Sequence, residues 1–529
     1  MTLLDLPPEI LIAVLVHVDF RTVLHCRQVV CALLKNLVDD DTSLQYIIEL
    51  GAAGMEDGPS STLTPSARLA LLRERQSAWK SLTWRSEATY PMTIGEYWEL
   101  YGGVLAQEEG GKKLVFRQLP SAIRGIEARE WEIRDAGTDI QDFSMDPAQD
   151  LLVVVEERIE YSETTCSLHL KSLLTGAPHP DVTGSAVLTH QTFLQGFTYS
   201  LRIAGDYVGT VLSGELEEPS ELVVWNWRTG DRKLCVGGYH FSSFTFLSPR
   251  HILLAAFGDV NHPEYEISGW DDPKKPRILV LDLDVVSPQP VQLRDLEFTC
   301  EFLYPELRPT CGIGGMAIRS DPAPHAQPHP SLRVPFSVVR EERLFAISLH
   351  FREGLQRPTL LSLVPSSTLF RSLSSIPHGQ TRHTFTWADW GPTGSRFYRT
   401  PRATVNVVWI CYVYGMSFVY LSSVAAYQTV VVLDFNQREI RRASDVIPDR
   451  PPVPDFSSGS ARLVTEAMDL GTTRLFKDAV QTSLPFWERS TVNFDREREG
   501  QINAAMIDED SLVLVSSHGH PGKFRVLSF

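Results

Sequence analysis

Leu222-Val223-Val224-Trp225-Asn226-Trp227-Arg228-Thr229-Gly230-Asp231 sets the pattern for most of this chain: a short apolar run that ends in a polar turn. A run this brief, rich in β-branched and aromatic residues and closed by Asn, Thr and Gly, reads as a strand entering a tight turn. Ile278-Leu279-Val280-Leu281-Asp282-Leu283-Asp284 and Val430-Val431-Val432-Leu433-Asp434-Phe435-Asn436 repeat it, with weaker copies near Leu168, Leu361 and Phe524. A second unit alternates with the first: an apolar strand, a tight turn, another apolar strand. Phe143-Ser144-Met145-Asp146-Pro147 leads into Leu151–Val155, Phe244–Pro249 into Ile252–Ala255, and Ala505-Met506-Ile507-Asp508-Glu509-Asp510 into Leu512–Val515. Alternating in this way, the two units suit four-stranded sheets stacked radially.

Over residues 114–529 this pattern resembles a WD-type β-propeller of six or seven blades, without a strict Gly-His…Trp-Asp repeat. The copies at Leu168, Val223 and Leu279 stand 55 and 56 residues apart, beyond the usual repeat of about 40–45. Insertions account for some of the excess. Pro322-Ala323-Pro324-His325-Ala326-Gln327-Pro328-His329-Pro330 and the stretch from Pro448 to Gly459 read as exposed loops. Leu114-Val115-Phe116 is a candidate for closing the ring against the last blade. The competing architecture is a pair of two-sheet sandwiches.

The first fifty residues carry a helical period instead. Asp5-Leu6-Pro7-Pro8-Glu9 opens a helix, because Pro has no N–H to leave unpaired in a first turn and Glu9 suits the positive end of the dipole. Ile10, Leu11, Val14, Leu15 and Val18 then form one apolar face. Asp19 is placed to cap a second short helix with Val23 and Leu24. A third face follows with Val29, Val30, Leu33, Leu34, Leu37 and Val38, and Ser43–Leu50 continues in helical style. Three short helices cannot bury all this apolar surface among themselves, so part of it should face a partner or the rest of the chain.

Leu6-Pro7-Pro8-Glu9-Ile10-Leu11, Leu24-His25-Cys26-Arg27-Gln28-Val29 and Leu44-Gln45-Tyr46 together resemble the F-box, with Ala32-Leu33-Leu34-Lys35 where many members carry an aromatic. The resemblance implies a module, residues 1–50, that docks onto the Skp-type adaptor of a cullin–RING ubiquitin ligase. The candidate adaptor-binding residues are Leu6, Pro7, Pro8, Glu9, Ile10, Leu11, Val14, Leu15, Leu24, Val29 and Leu33, by a helix-in-groove contact. Residues 51–113 read as linker and connector: Gly/Ser/Thr/Pro-rich from Met55 to Pro65, then a helix from Ser66 to Trp79. The overall expectation is multidomain, a small all-α module followed by an all-β propeller-like domain at 114–529.

The whole chain has 529 residues, 49 Lys+Arg against 65 Asp+Glu, and a formal charge of −16. Apolar residues at 43% and charged residues at 22% describe an ordinary globular protein. The acidic balance argues against nucleic acid and anionic membrane as partners, and a basic substrate surface is the mild expectation. Cysteines 26, 31, 166, 235, 300, 311 and 411 are scattered without a CxxC, and no Asn stands in a glycosylation sequon. Both features suggest a reducing compartment, cytoplasm or nucleus. Ala403 to Leu433 lacks Asp, Glu, Lys and Arg and is long enough to span a bilayer. Its Asn406, Gly415, serines, valines and tyrosines favour two or three half-buried strands over a lipid-facing helix.

Catalytic motifs are absent from the sequence. Gly312-Ile313-Gly314-Gly315-Met316-Ala317 fits a dinucleotide fingerprint only in letters and reads as a loop, since no strand–helix context surrounds it. His518-Gly519-His520 and His325/His329 have no acidic or cysteine partner at ligand spacing and read as surface turns. Trp225, Trp227, Trp387 and Trp390 suit a binding face or, more commonly, blade cores. No catalytic residue, cofactor or metal is expected. The expected role is a non-catalytic substrate receptor that holds a protein near the ligase, with a propeller hydrolase or glycosidase and a non-degradative scaffold as the alternatives.

Overall fold

The first helix runs from Pro8 to Leu15 (α1), and its neighbours follow at Phe20–His25 (α2), Ala32–Asp40 (α3) and Thr42–Ala53 (α4), with a π turn at Cys26–Val30. In this computed structural model every residue is described except 1–5, 60–62, 96, 161–162, 195–196, 214–218, 258–274, 325–327, 330, 355, 400–410, 425, 445–459, 472–474 and 517–521. Local chemistry sets the helix starts. Asp19 accepts from the amides of Arg21 and Thr22, and Asp41 from those of Ser43 and Leu44, supplying acceptors to N–H groups that a helix cannot pair internally. Helix α5 (Pro65–Ser81) begins on a Thr64 cap with Pro in its first turn.

Strands dominate from Ser86 onward and form a seven-bladed β-propeller. The first strands of the blades are Trp98–Tyr101, Asp142–Asp146, Thr198–Ala204, Phe241–Phe246, Gly312–Arg319, Val413–Tyr414 and Ala504–Ile507. Each opens a sheet of four strands or more, antiparallel except where Val291–Gln292 and His383–Phe385 add in parallel at the outer edges of blades 3 and 4, and successive first strands of several blades lie beside one another around a central channel. The apolar clusters sit between neighbouring sheets. One joins Val104, Leu114 and Phe116 of blade 1 to Met145, Leu152 and Val154 of blade 2, and another joins Leu100 and Leu105 to Met506, Val513, Phe524 and Val526 of blade 7. Strands between two such clusters are buried on both faces, which is why they read as unbroken apolar runs.

The repeating unit found in the sequence is the third strand of each blade. Leu222, Ile278 and Val430, with the weaker copies, fall on third strands, and Leu114-Val115-Phe116 is the same strand of blade 1 rather than the ring closure. Closure is made by Ser86–Pro91, which pairs antiparallel with Lys523–Ser528 so that the last blade joins one strand from the start of the propeller to three from its end. The propeller therefore begins inside the segment expected to be a connector. Ser-Glu-Ala-Thr-Tyr-Pro is an outermost strand with one face in water, so it lacks the apolar signature of inner strands.

Burial decides the other expectations, correcting some and agreeing with others. Gly312–Arg319 is a strand, the innermost of blade 5, with a bulge between Ile313 and Gly315. Pro322, Ala323 and Pro324 are buried near the channel rather than looped into solvent. Trp225 and Trp227 are core residues, as is Trp390, which packs edge-on to Phe302 and Tyr304. The uncharged stretch forms Val413–Tyr414, Ser417–Val424 and Tyr427–Asp434, with residues 403–410 outside the described set. Among the described residues no helix is long and apolar enough to cross a membrane. Asp5, His325, His518, His520 and the 448–459 loop also lie outside the described residues.

Arg343 welds blade 5 to blade 4. Fully buried, it donates through Nη2 to the carbonyls of Phe246 and Leu247 (3.0 and 2.7 Å) and through Nη1 to Pro322 (3.2 Å). Burial pulls its guanidinium down to about 10. We expect Arg343→Met to fold less stably by about 3 kcal/mol or more, because three desolvated carbonyls lose a charged donor. Urea unfolding monitored by tryptophan fluorescence measures this, and a change under about 1 kcal/mol would show that those carbonyls find other partners.

Candidate functional site

The eleven residues expected to dock an adaptor separate into two groups. Leu11 and Leu15 point inward and join Val23, Leu34, Val38, Leu44 and Ile48 in the module's own core, with Leu6 and Leu24 half-buried against it. For Leu11 and Leu15 the expectation of a partner contact is therefore corrected, since the helices need them to close on one another. The outward group is Pro7, Pro8, Glu9, Ile10, Val14 and Leu33. Ile10 and Val14 lie one turn apart on α1, 48% and 46% exposed, and Leu33 on α3 is 46% exposed. Val29 belongs to the Cys26–Val30 turn, and its side chain is outside the described set. An amphipathic helix thus has a packed side and a free apolar side, in a module with too few residues to cover both.

The module is fastened to the propeller by charge, a strand pair and an acidic turn. Glu49 of α4 accepts two hydrogen bonds from Arg442 (2.7 and 2.9 Å), which hold its carboxyl below the usual range. Arg438, one turn earlier on the Gln437–Ser444 helix, donates to the Gly51 carbonyl and lies over the Phe20 ring at 4.7 Å. Gly51 is required there, because a Cβ would stand 2.3 Å from that ring. Met55–Asp57 pairs with Phe336–Val338 from the long turn of blade 5, where the sequence suggested only linker.

Asp508-Glu509-Asp510, the turn between the first two strands of blade 7, gathers four more elements. Arg75 of α5 donates to the Glu509 carbonyl (2.5 Å). Arg124, from the blade 1 loop, donates to Asp510 at 2.6 Å and lies 3.1 Å from Glu509. The Val338 amide donates to Glu509 Oε1, and Tyr414 Oη to Glu509 Oε2. Trp79 stacks on Phe529 with centroids 4.2 Å apart. Sequence reading passed over these anchors because each pairs residues far apart along the chain, 95 positions for Tyr414 and Glu509 and 434 for Arg75 and Glu509. The i, i+4 spacing of Arg438 and Arg442 is the one local signal.

Inside the channel the first strands bring Glu99, Arg202 and Arg319 to a cavity of about 30 Å³, and Asp142 stands nearby at the start of its strand. Burial pushes Glu99 up to about 8, helped by the charge of Asp142, and raises Asp142 itself to about 7. Arg202 falls to about 10 through burial and the neighbouring Arg319. Among the described residues no group of His, Cys, Asp and Glu is arranged to hold a metal.

No family model matches the chain, and no curated protein matches it. Among solved structures it is similar to the WD40 domain of SCAP from fission yeast, at 9% identity over 90% of this chain and 98% of that one, with a TM-score of 0.31. It is also similar to the WD40 domain of Toxoplasma gondii coronin, at 8% identity, 84% and 87% coverage and a TM-score of 0.35. Extracellular domains 1-2 of Drosophila Semaphorin 1b align at 7% identity, 83% and 86% coverage and a TM-score of 0.36. The blade count rests on the sheet order rather than on these likenesses.

Asp508 makes the acidic turn pH-dependent. Burial, reinforced by Glu509 and Asp510, raises its carboxyl to about 7, whereas an unfolded chain releases that proton near pH ~3.9. As pH rises from 4 to 7 the unfolded state loses the proton first, so the group opposes folding progressively and fully above pH 7. Asp508→Asn is therefore expected to match wild type at pH 4 and to be more stable at pH 8, by an amount on the order of a few kcal/mol. Urea midpoints at the two pH values measure it. A variant less stable at pH 8 would mean that the ionised carboxylate is needed.

Proposed function

We propose that this chain is a substrate receptor of a cullin–RING ubiquitin ligase: its N-terminal module is an F-box that docks on the Skp-type adaptor, and its propeller holds a protein substrate. The observation that carries the reading is the two-sided α1, with Leu11 and Leu15 locked inside and Pro7, Pro8, Ile10 and Val14 left outside. Apolar residues one helical turn apart on a free face suit a hydrophobic groove on a partner. The rigid fastening of the module supports the same reading. A receptor that works by proximity must hold its substrate at a fixed distance from the ligase, because misplacement forfeits effective concentration. Such a ligase operates in the cytoplasm or nucleus, which is where the reading puts the protein.

A second reading, a propeller hydrolase, draws on Glu99 and Asp142, two neighbouring carboxyls raised toward neutrality as acid–base pairs often are. Against it stands the volume beside Glu99, about 30 Å³, which suits a water rather than a sugar ring or peptide bond. A scaffold that binds the adaptor without directing degradation differs from the first reading only in whether a co-purified protein is turned over in a ubiquitin-dependent way.

Calorimetric titration of the purified chain with the adaptor tests docking. Ile10→Asp with Val14→Asp is expected to weaken binding about 100-fold, since it places two charges in an apolar contact, while the melting temperature stays near wild type. Leu11→Ala should act differently, destabilising the helical module by about 2–4 kcal/mol through a core cavity. Equal affinity of wild type and the double variant, or no affinity in either, would falsify the docking role.

A further inference from the structure

We propose that a cleft between blades 1, 2 and 3, on the propeller face away from the helical module, receives an arginine side chain from a segment of the bound protein. The proposal rests on the reading of the propeller as a protein receptor and names the chemistry of one contact. The face is identified by chain direction. The helical module meets the ends where first strands finish and turn into second strands, as at Asp508–Asp510. The cleft lies at the opposite ends, where the first strands begin at Trp98, Asp142 and Thr198.

Its volume is about 350 Å³, roughly ten times that of the channel cavity, and its walls are aromatic and acidic. Tyr97 and Trp98 come from blade 1, and Phe197 and Tyr199 from blade 3, the latter two edge to face with centroids 5.2 Å apart. Blade 2 supplies Asp142 and Glu157. Asp142 lies opposite Val155 in the sheet, and Glu157 is two residues further along the same strand. Both carboxyls therefore leave the same side of the sheet, at the diagonal spacing of about 7–8 Å that long side chains bridge. Tyr199 Oη donates to Glu157 Oε2 at 2.9 Å, and the Phe143 amide donates to Asp142 at 2.8 Å. Neither carboxyl has an ion-pair partner among the described residues. Asp142 is raised to about 7 chiefly by burial, although Arg202 and Arg319 pull against that rise.

Two partly desolvated carboxyls, neither in an ion pair among the described residues, between flat aromatic rings, form the environment in which a guanidinium outbids an ammonium. It can donate to two acceptors at once and stack on a ring face. The rim fits the flanks of such a segment. Ile94, Ile159 and Phe193 stand 92%, 59% and 78% exposed, within two to four residues of Tyr97, Glu157 and Phe197 respectively. The net charge of −16 favours approach of a basic partner.

Saturation-transfer NMR on the full chain tests the cleft, using nine-residue Gly/Ser peptides with one central arginine, lysine or citrulline at millimolar concentration. We expect strong transfer to the arginine peptide, at least threefold weaker affinity for lysine, and none for citrulline, which keeps the shape and loses the charge. Glu157→Gln and Asp142→Asn should each weaken the arginine peptide at least fivefold, with melting temperatures no lower than wild type. Equal signals from arginine and citrulline, no signal from arginine, or no effect of either substitution overturns the proposal. If a variant does not fold, the three-peptide comparison on wild type decides alone. Adaptor affinity of the same preparations separates the two readings: loss of docking with arginine selectivity intact strikes only the ligase role, and the converse strikes only the cleft.

Discussion

Four separate parts of the chain converge on one short acidic turn between the helical module and the propeller. Asp508-Glu509-Asp510 accepts from α5 through Arg75, from blade 1 through Arg124, from the blade 5 insertion through the Val338 amide and from blade 6 through Tyr414. Three successive carboxyls repel one another, so the turn is tolerable only because two guanidiniums and several hydrogen-bond donors surround it. That arrangement makes the turn a clamp. It sits in the blade that closes the ring, beside the strand pair that unites the two ends of the propeller. Loosening it would free the connector helix and disturb closure together.

The clamp also explains how so small a helical module keeps a defined position. Its core of Leu11, Leu15, Val23, Leu34, Val38, Leu44 and Ile48 is modest, and domains of that size are marginal alone. The chain compensates with Glu49–Arg442, Arg438 over Phe20, and the Met55–Asp57 strand added to Phe336–Val338. The free face of α1 is left uncovered because the fastenings use α4, α5 and the strand that follows α4. A mounted module with one open apolar side and a propeller with an acidic, aromatic cleft on its far face make a two-ended molecule. Each end presents chemistry suited to a protein.

Legibility in the sequence followed burial. Third strands were visible from blade 1 to blade 7 because their inner positions are packed on both faces, most fully at Leu222, Ile278 and Val430 and more weakly where polar residues interrupt them, as His169 and Lys171 do after Leu168; Leu114–Phe116 was seen but given the wrong place in its sheet. Ser86–Pro91 was missed because an outermost strand keeps one wet face and reads as a loop. Pro322–Pro324 looked like surface because proline-rich stretches usually are, whereas here these three residues are buried beside the channel. Of the candidate docking residues, the period of α1 named both of its faces but could not tell the packed one from the free one.

Composition, period and turn chemistry by themselves determined the class of the main regions: capped helices near the start, then repeated apolar strands in four-stranded units. Those signals are local, since a cap or an alternation needs only neighbours along the chain. Which strand closes the ring, which face of α1 is open, and which carboxyls form no ion pair among the described residues were decided only in three dimensions. Each depends on residues brought together from distant positions, such as Glu49 with Arg442 or Glu157 with Tyr199. Burial and charge pairing are properties of that assembly, and no stretch of the chain contains them alone.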